Sequence, residues 1–167
     1  KVDGKEQVSI ESRCAHWNFR WWYCFSGGQM TDWGAHHNDI AQWGNGTERS
    51  GPVEIDGKSL KEMTPGGFTA ASKYRIDMKY ANGVTMAIVD ENTGTDRNVV
   101  GDANKTPNGV QFIGPDGWIF VSRGSLKASK PELLETPLPE DAVKLYKSGD
   151  HMGNFFESVR SRKDPIC

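Results

Sequence analysis

The chain has 167 residues, 36% hydrophobic and 25% charged, with 19 Gly and 8 Pro, which fits one turn-rich globular domain over 1–167 and excludes collagen, a coiled coil and a highly charged disordered chain. Twenty Lys and Arg against 22 Asp and Glu leave a net charge of -2, so no global positive field draws in nucleic acid or an anionic membrane. No apolar run reaches the ~20 residues of a membrane helix, and Lys1-Val2-Asp3-Gly4-Lys5-Glu6 lacks the apolar core of a signal peptide.

With no initial Met and an end at Pro165-Ile166-Cys167, the chain is expected to be a fragment of a longer protein, cytoplasmic by default. Cys14, Cys24 and Cys167 are odd in number and form no C-x-x-C, so reduced thiols are expected.

The aromatic run His16-Trp17-Asn18-Phe19-Arg20-Trp21-Trp22-Tyr23-Cys24-Phe25 predicts a strand near 17–24. Ser26-Gly27-Gly28-Gln29 has the form of a capping box and predicts a helix over 28–44. Met30, Trp33, Ile40, Ala41 and Trp43 form its loose apolar stripe, Asp32, His36 and Asp39 share one face, and Gly44-Asn45-Gly46 ends it.

From residue 50 the texture turns to β. Gly51 to Gly57 reads as a short strand, with a Gly/Pro-bearing loop through 65–67. The runs 74–80 and 84–89, joined by Ala81-Asn82-Gly83, form the clearest hairpin, and 110–113 with 118–121 a second one across Gly114-Pro115-Asp116-Gly117. Residues 92–108 are polar, 124–141 read as a wandering connection, and Met152, Phe155, Phe156 and Val159 place a helix over 150–161 whose apolar side should cover a sheet. The sum is an α+β domain: an open, mainly antiparallel or mixed β-sheet with helices packed on one face.

One constellation carries chemistry. Asp32 and His36 stand one helical turn apart, and a carboxylate beside an imidazole can fix its tautomer and raise its basicity for proton exchange with a hydroxyl. The same spacing also describes a plain surface pair. Gly27, Gly28 and Gly34 sacrifice helix propensity, which points to close approach of a ligand or to tight packing.

His36, His37 and Asp39, with His16, are the alternative as metal ligands, but adjacent histidines project about 100° apart and no H-E-x-x-H occurs, so no metal is assigned. Trp17, Trp21, Trp22, Trp33, Trp43 and Trp118 offer either core packing or flat faces for sugar rings. G-x-G-x-x-G, the P-loop and G-x-S-x-G are all missing, and the sequons at Asn45 and Asn104 are too short a signal to use.

Residues 26–43, SGGQMTDWGAHHNDIAQW, resemble the first long helix of the C-terminal domain of Gfo/Idh/MocA family oxidoreductases. Ser50-Gly51-Pro52-Val53-Glu54-Ile55, Tyr80 to Val84, Gly114 to Ile119 and Ser161-Arg162-Lys163-Asp164-Pro165 are similar in order and spacing to bacterial members. The resemblance implies that an N-terminal Rossmann domain outside this chain binds NAD or NADP, that this domain supplies part of the pocket for a sugar, cyclitol or related polyol, and that its open sheet face mediates homo-oligomerisation. It puts the family's D-x-x-x-H pattern on Asp32 and His36 as catalytic residues, His37 as a neighbouring substrate contact, and Arg20, Trp21 and Tyr23 at the pocket mouth. No cofactor is expected on this chain alone.

Two other functions stay open. One is a family member that cleaves glycosidic bonds by oxidation and elimination, with or without a metal. The other is a non-catalytic carbohydrate-binding or assembly module in which the Asp32–His36 pair is structural.

Overall fold

A computed structural model of the chain describes residues 16–61, 63, 65–90 and 108–166. The expected polar connection from 92 to 107, with the Asn104 sequon, lies outside them, as do Cys14, Cys167 and the His16 side chain. The chain divides into two units, Lys1–Leu134 and Glu135–Cys167.

In the first unit, the segment expected as a strand near 17–24 is instead a 3-10 helix, His16–Trp21, followed by a turn. Tertiary bonding overrides β propensity here. The Trp21 carbonyl accepts the N–H groups of Thr69 and Ala70 at 3.1 and 2.9 Å, while Trp22 N–H turns back to the Phe19 carbonyl at 3.2 Å. The Phe68 ring packs edge-on against Trp22, with centroids 5.5 Å apart.

The Ser26/Gln29 capping box does not form. A 3-10 turn, Gly28–Met30, comes first, and helix α1 (Trp33–Asn45) starts five residues later than its predicted origin, with Asp32 at the N-cap. Gly28 has φ 68°, a left-handed value through which a right-handed helix cannot run. Thr31 orders this loop instead of Ser26: its Oγ1 accepts from Gly27 N–H at 3.0 Å and donates to the Gly28 carbonyl at 3.3 Å. The predicted stop is present, with Gly46 at φ 66° and the Gly46 and Thr47 N–H groups bonded to the Trp43 and Gln42 carbonyls.

α1 does not bury the expected apolar stripe. Of that stripe Met30, Trp33 and Ala41 are half-buried while Ile40 and Trp43 stand exposed, and the inward face runs through buried Gly34 and half-buried His37, Asn38, Ala41 and Asn45 at i, i+3, i+4, i+7 and i+11.

Strands β1 (Glu54–Ser59), β2 (Tyr74–Lys79) and β3 (Thr85–Val89) make an antiparallel three-stranded sheet in that order. The predicted β2–β3 hairpin is present. Only Gly83 of its turn takes a positive φ, 85°, while Asn82 Oδ1 accepts from Val84 N–H at 3.1 Å. On one face Ile76 opposes Ile88 and Met78 opposes Met86. The other carries Glu54 opposite Lys79, their charges 2.6 Å apart, and Asp77, whose carboxyl a hydrogen bond from Arg75 holds below its usual range.

β4 (Val110–Gly114), β5 (Gly117–Ser122) and β6 (Ser125–Ala128) form a second antiparallel sheet. The β4–β5 hairpin follows the sequence reading, but the supposed wandering connection from 124 supplies β6 and a short helix α2 (Glu132–Glu135). Ser122 pairs with Ser125, so the chain reverses over Arg123-Gly124 alone, and Gly124 provides the φ of 78° that this needs. The class is α+β, with the described strands shared between two three-stranded sheets.

α1 lies along β4, and Phe120 of β5, 1% exposed, is the most deeply buried large side chain. Tyr74, Tyr80, Ala70 and Asp90 are buried as well. Burial and the Asp90 charge push the Tyr74 phenol up to about 12.

In the second unit, α3 (His151–Ser161) sits on its predicted span. Asp150 caps it by accepting from Gly153 N–H at 2.9 Å, and Arg162 closes it at φ 58°. Asn154 Nδ2 donates to Tyr146 Oη at 2.8 Å and its Oδ1 accepts from Ile166 N–H at 3.1 Å. Met152, Phe155, Phe156 and Val159 have the predicted helical register and are 47–57% exposed.

Gly28 locks the loop that starts α1, because a Cβ there would both be strained at φ 68° and lie 2.8 Å from the Ala70 Cβ. Gly28→Ala should lower unfolding free energy by about 2–3 kcal/mol in urea titration, with the Ala70→Gly double variant recovering only the steric part.

Candidate functional site

Asp32 and His36 are one turn apart, as their spacing predicts, but the Asp32 carboxylate is engaged by Arg20 in an ion pair. The Arg20 side chain is only 14% exposed. Its guanidinium lies 4.4 Å over the Trp17 ring and 5.3 Å from the Trp21 ring centroid, the geometry of cation–π contacts. The carboxylate also places negative charge at the positive end of α1. His36 is exposed and meets the Trp33 indole edge-on, with centroids 5.6 Å apart.

These groups line one cavity of about 480 Å³, together with Trp17, Trp21, Gln29 and Arg123. Arg123 reaches it from the tight β5–β6 reversal, its guanidinium 4.9 Å over Trp33. Four of the residues singled out from the sequence, Arg20, Trp21, Asp32 and His36, are thereby brought together.

The other two lie elsewhere. Tyr23 donates its backbone N–H to Thr69 Oγ1 at 2.8 Å, and its phenol oxygen accepts from Ala71 N–H at 3.2 Å, so it buttresses the loop behind the cavity. His37, about 100° round the helix from His36, lines a separate space of 770 Å³ with Tyr74, Tyr80, Asp90, Phe112 and Phe120. Trp33 borders both spaces.

Arg123 and Gln29 escape the sequence reading. The signal for Arg123 was an Arg-Gly pair that directly follows the apolar run Trp118–Val121 and Ser122, the position of a two-residue hairpin turn. The glycines are explained by packing: Gly28 meets Ala70 and Trp21, and Gly34 meets Asn38 and Met30.

His37 Nε2 pairs with the Asn108 side-chain oxygen, which can only accept, so Nε2 carries the proton, and Nδ1 is buried with no partner among the described residues. Desolvation, followed by the charges of His36 and Arg123, holds the His37 pKa below 6.5. The ring stacks at 14° on Trp33, 5.7 Å between centroids, in its neutral form.

Among the described residues no three His, Cys, Asp or Glu side chains group to hold a metal ion, and no helix is long and apolar enough to cross a membrane. A dinucleotide does not fit here: Gly27-Gly28 opens a three-residue 3-10 turn, and a pyrophosphate at the α1 N-terminus would face the Asp32 carboxylate.

A family model described as "Oxidoreductase family, C-terminal alpha/beta domain" matches residues 6–165. Comparison with curated proteins and with solved structures gave no match.

The His37 ring should titrate by NMR with a midpoint below 6.5, rising in Arg123→Gln. Because the unfolded chain binds the proton first, wild type should lose stability relative to His37→Gln as pH falls through 6.5 toward the folded value, and show no such loss above it. Urea denaturation at pH 7.5 and 5.5 checks this.

Proposed function

The chain belongs to the oxidoreductase family as its C-terminal α/β domain, and we propose that it is the substrate-binding part of an NAD(P)-dependent enzyme that moves hydride to or from a sugar, cyclitol or related polyol. The observation that supports this reading is the gathering of three indoles, two guanidiniums, Gln29, Asp32 and His36 around one cavity of about 480 Å³.

Those side chains suit a polyol. Sugar C–H faces stack on the indoles of Trp17 and Trp21, while Arg20 and Gln29 supply N–H donors for hydroxyl oxygens. The redox half of the chemistry, with NAD or NADP as cofactor, belongs to a separate nucleotide-binding domain. This chain binds the substrate, orients one hydroxyl and holds its proton.

His36 is the proton carrier in this reading. Among the described residues it is the one imidazole on the cavity wall, and histidine changes charge within the physiological pH range. Asp32 acts through Arg20: their ion pair fixes a donor and keeps a carboxylate one turn from the imidazolium that forms when His36 takes the proton. His37, neutral and stacked on Trp33, steadies the cavity wall from behind.

A second reading, binding without chemistry, draws on the same ion pair, which occupies the carboxylate that would otherwise orient an imidazole. His36→Gln separates the two. In the enzyme comprising this domain and its nucleotide-binding domain, polyol-dependent reduction of NAD(P) should fall by about 10²- to 10⁴-fold in kcat while polyol affinity stays within a few-fold. Unchanged turnover would refute proton transfer by His36, and an enzyme with no polyol-dependent turnover at all would leave the binding module.

A further inference from the structure

We infer that the substrate carries an anionic group, a carboxylate or a phosphate, and that Arg123 is the residue that recognises it. The inference rests on the 480 Å³ cavity being the polyol site.

The cavity's charges do not balance. Arg20 and Asp32 cancel in their ion pair, and among the described residues no other carboxylate lines the wall. Arg123 has no acidic partner among the described residues; its contact there is the Trp33 indole, 4.9 Å from the guanidinium carbon. A neutral polyol needs hydrogen-bond donors and stacking faces, and Gln29, His36 and the Trp17 and Trp21 indoles already provide both. The uncompensated positive charge adds recognition only for an anion.

The mounting of Arg123 favours the same conclusion. A guanidinium over an indole spends no N–H on an acidic partner, and its N–H edges match the two oxygens of a carboxylate or phosphate. Both halves of the contact are held in place. Trp33 is the first residue of α1 and stacks on His37, 5.7 Å between ring centroids. Arg123 sits in a reversal of two residues closed by the Ser122–Ser125 pair, so little of its backbone freedom remains to be lost on binding. Arg20 cannot take this role, because the anion would have to displace Asp32 from a largely buried pair.

The test is calorimetric titration of the chain with ligands matched in skeleton: D-glucitol against D-gluconate, and D-glucose against D-glucose 6-phosphate. At least one anion should bind about tenfold or more tightly than its neutral counterpart, charge-assisted bonds being roughly twice as strong as neutral ones. Whichever pair shows the larger gap tells carboxylate from phosphate. Arg123→Gln should erase the gap by weakening the anion about tenfold more than its neutral counterpart, and Arg123→Lys should keep part of it.

Equal affinity for neutral and anionic members, or a preference that survives Arg123→Gln, overturns the inference. If neutral ligands still bind and Trp21→Ala weakens them, the polyol site stands without its anion. If no ligand of either pair binds, the polyol reading and this inference fall together.

Discussion

The Arg20–Asp32 ion pair ties the aromatic 3-10 helix to the start of α1, and the candidate site is built around that tie. Each partner needs the other. A guanidinium 14% exposed between aromatic rings would be costly without a countercharge, and a carboxylate at the N-cap that makes no capping hydrogen bond would have only the helix dipole to stabilise it. The pair takes Asp32 away from direct contact with the neighbouring imidazole, so His36 is left exposed to the cavity. A helix-surface spacing that suggested an Asp–His dyad becomes a helix start that holds one face of a pocket.

Trp33 divides what lies on either side of that start. His36 and Arg123 meet it on the side of the smaller cavity, and His37 stacks on it while facing the larger space beneath β3 and β4. Two adjacent histidines thus have different physics. One is exposed; the other is desolvated, hydrogen-bonded through Nε2 and held toward its neutral form. The roles follow from 100° of helical rotation and from which side of one indole each ring occupies.

The second sheet contributes as much as the helix. Without the β5–β6 reversal, Arg123 would have no fixed position, and the cavity would carry no unbalanced charge. Gly124 enables the reversal as Gly28 enables the loop before α1, each by adopting a left-handed φ that other residues reach only with strain. Site geometry therefore depends on two backbone positions whose side chains touch no substrate.

Much was legible in the chain's residues alone. The alternation of Tyr74–Lys79, the apolar run up to Val89, the Gly83 turn, the β4–β5 hairpin, the Gly46 stop and the span of α3 all appear where local patterns put them, because periodicity, turn chemistry and capping act over a few residues. The D-x-x-x-H spacing marked Asp32 and His36 for the same reason, and the family resemblance put Arg20 and Trp21 near them. What local pattern could not decide was every feature set by a distant partner. The strand propensity of 17–24 yielded to the Thr69 and Ala70 N–H groups, the capping box yielded to Thr31 and to Gly28 packed on Ala70, and the apolar stripe of α1 yielded to the polar face that β4 and the larger space accommodate. Asp32 found Arg20, Tyr23 found Thr69 and Ala71, and Arg123 found Trp33, 90 residues away along the chain. Residue order determined the elements and the chemical types available; tertiary contact alone decided which of those groups share a cavity, because long-range packing energy outweighs the few tenths of a kcal/mol, up to about 1, that separate local alternatives.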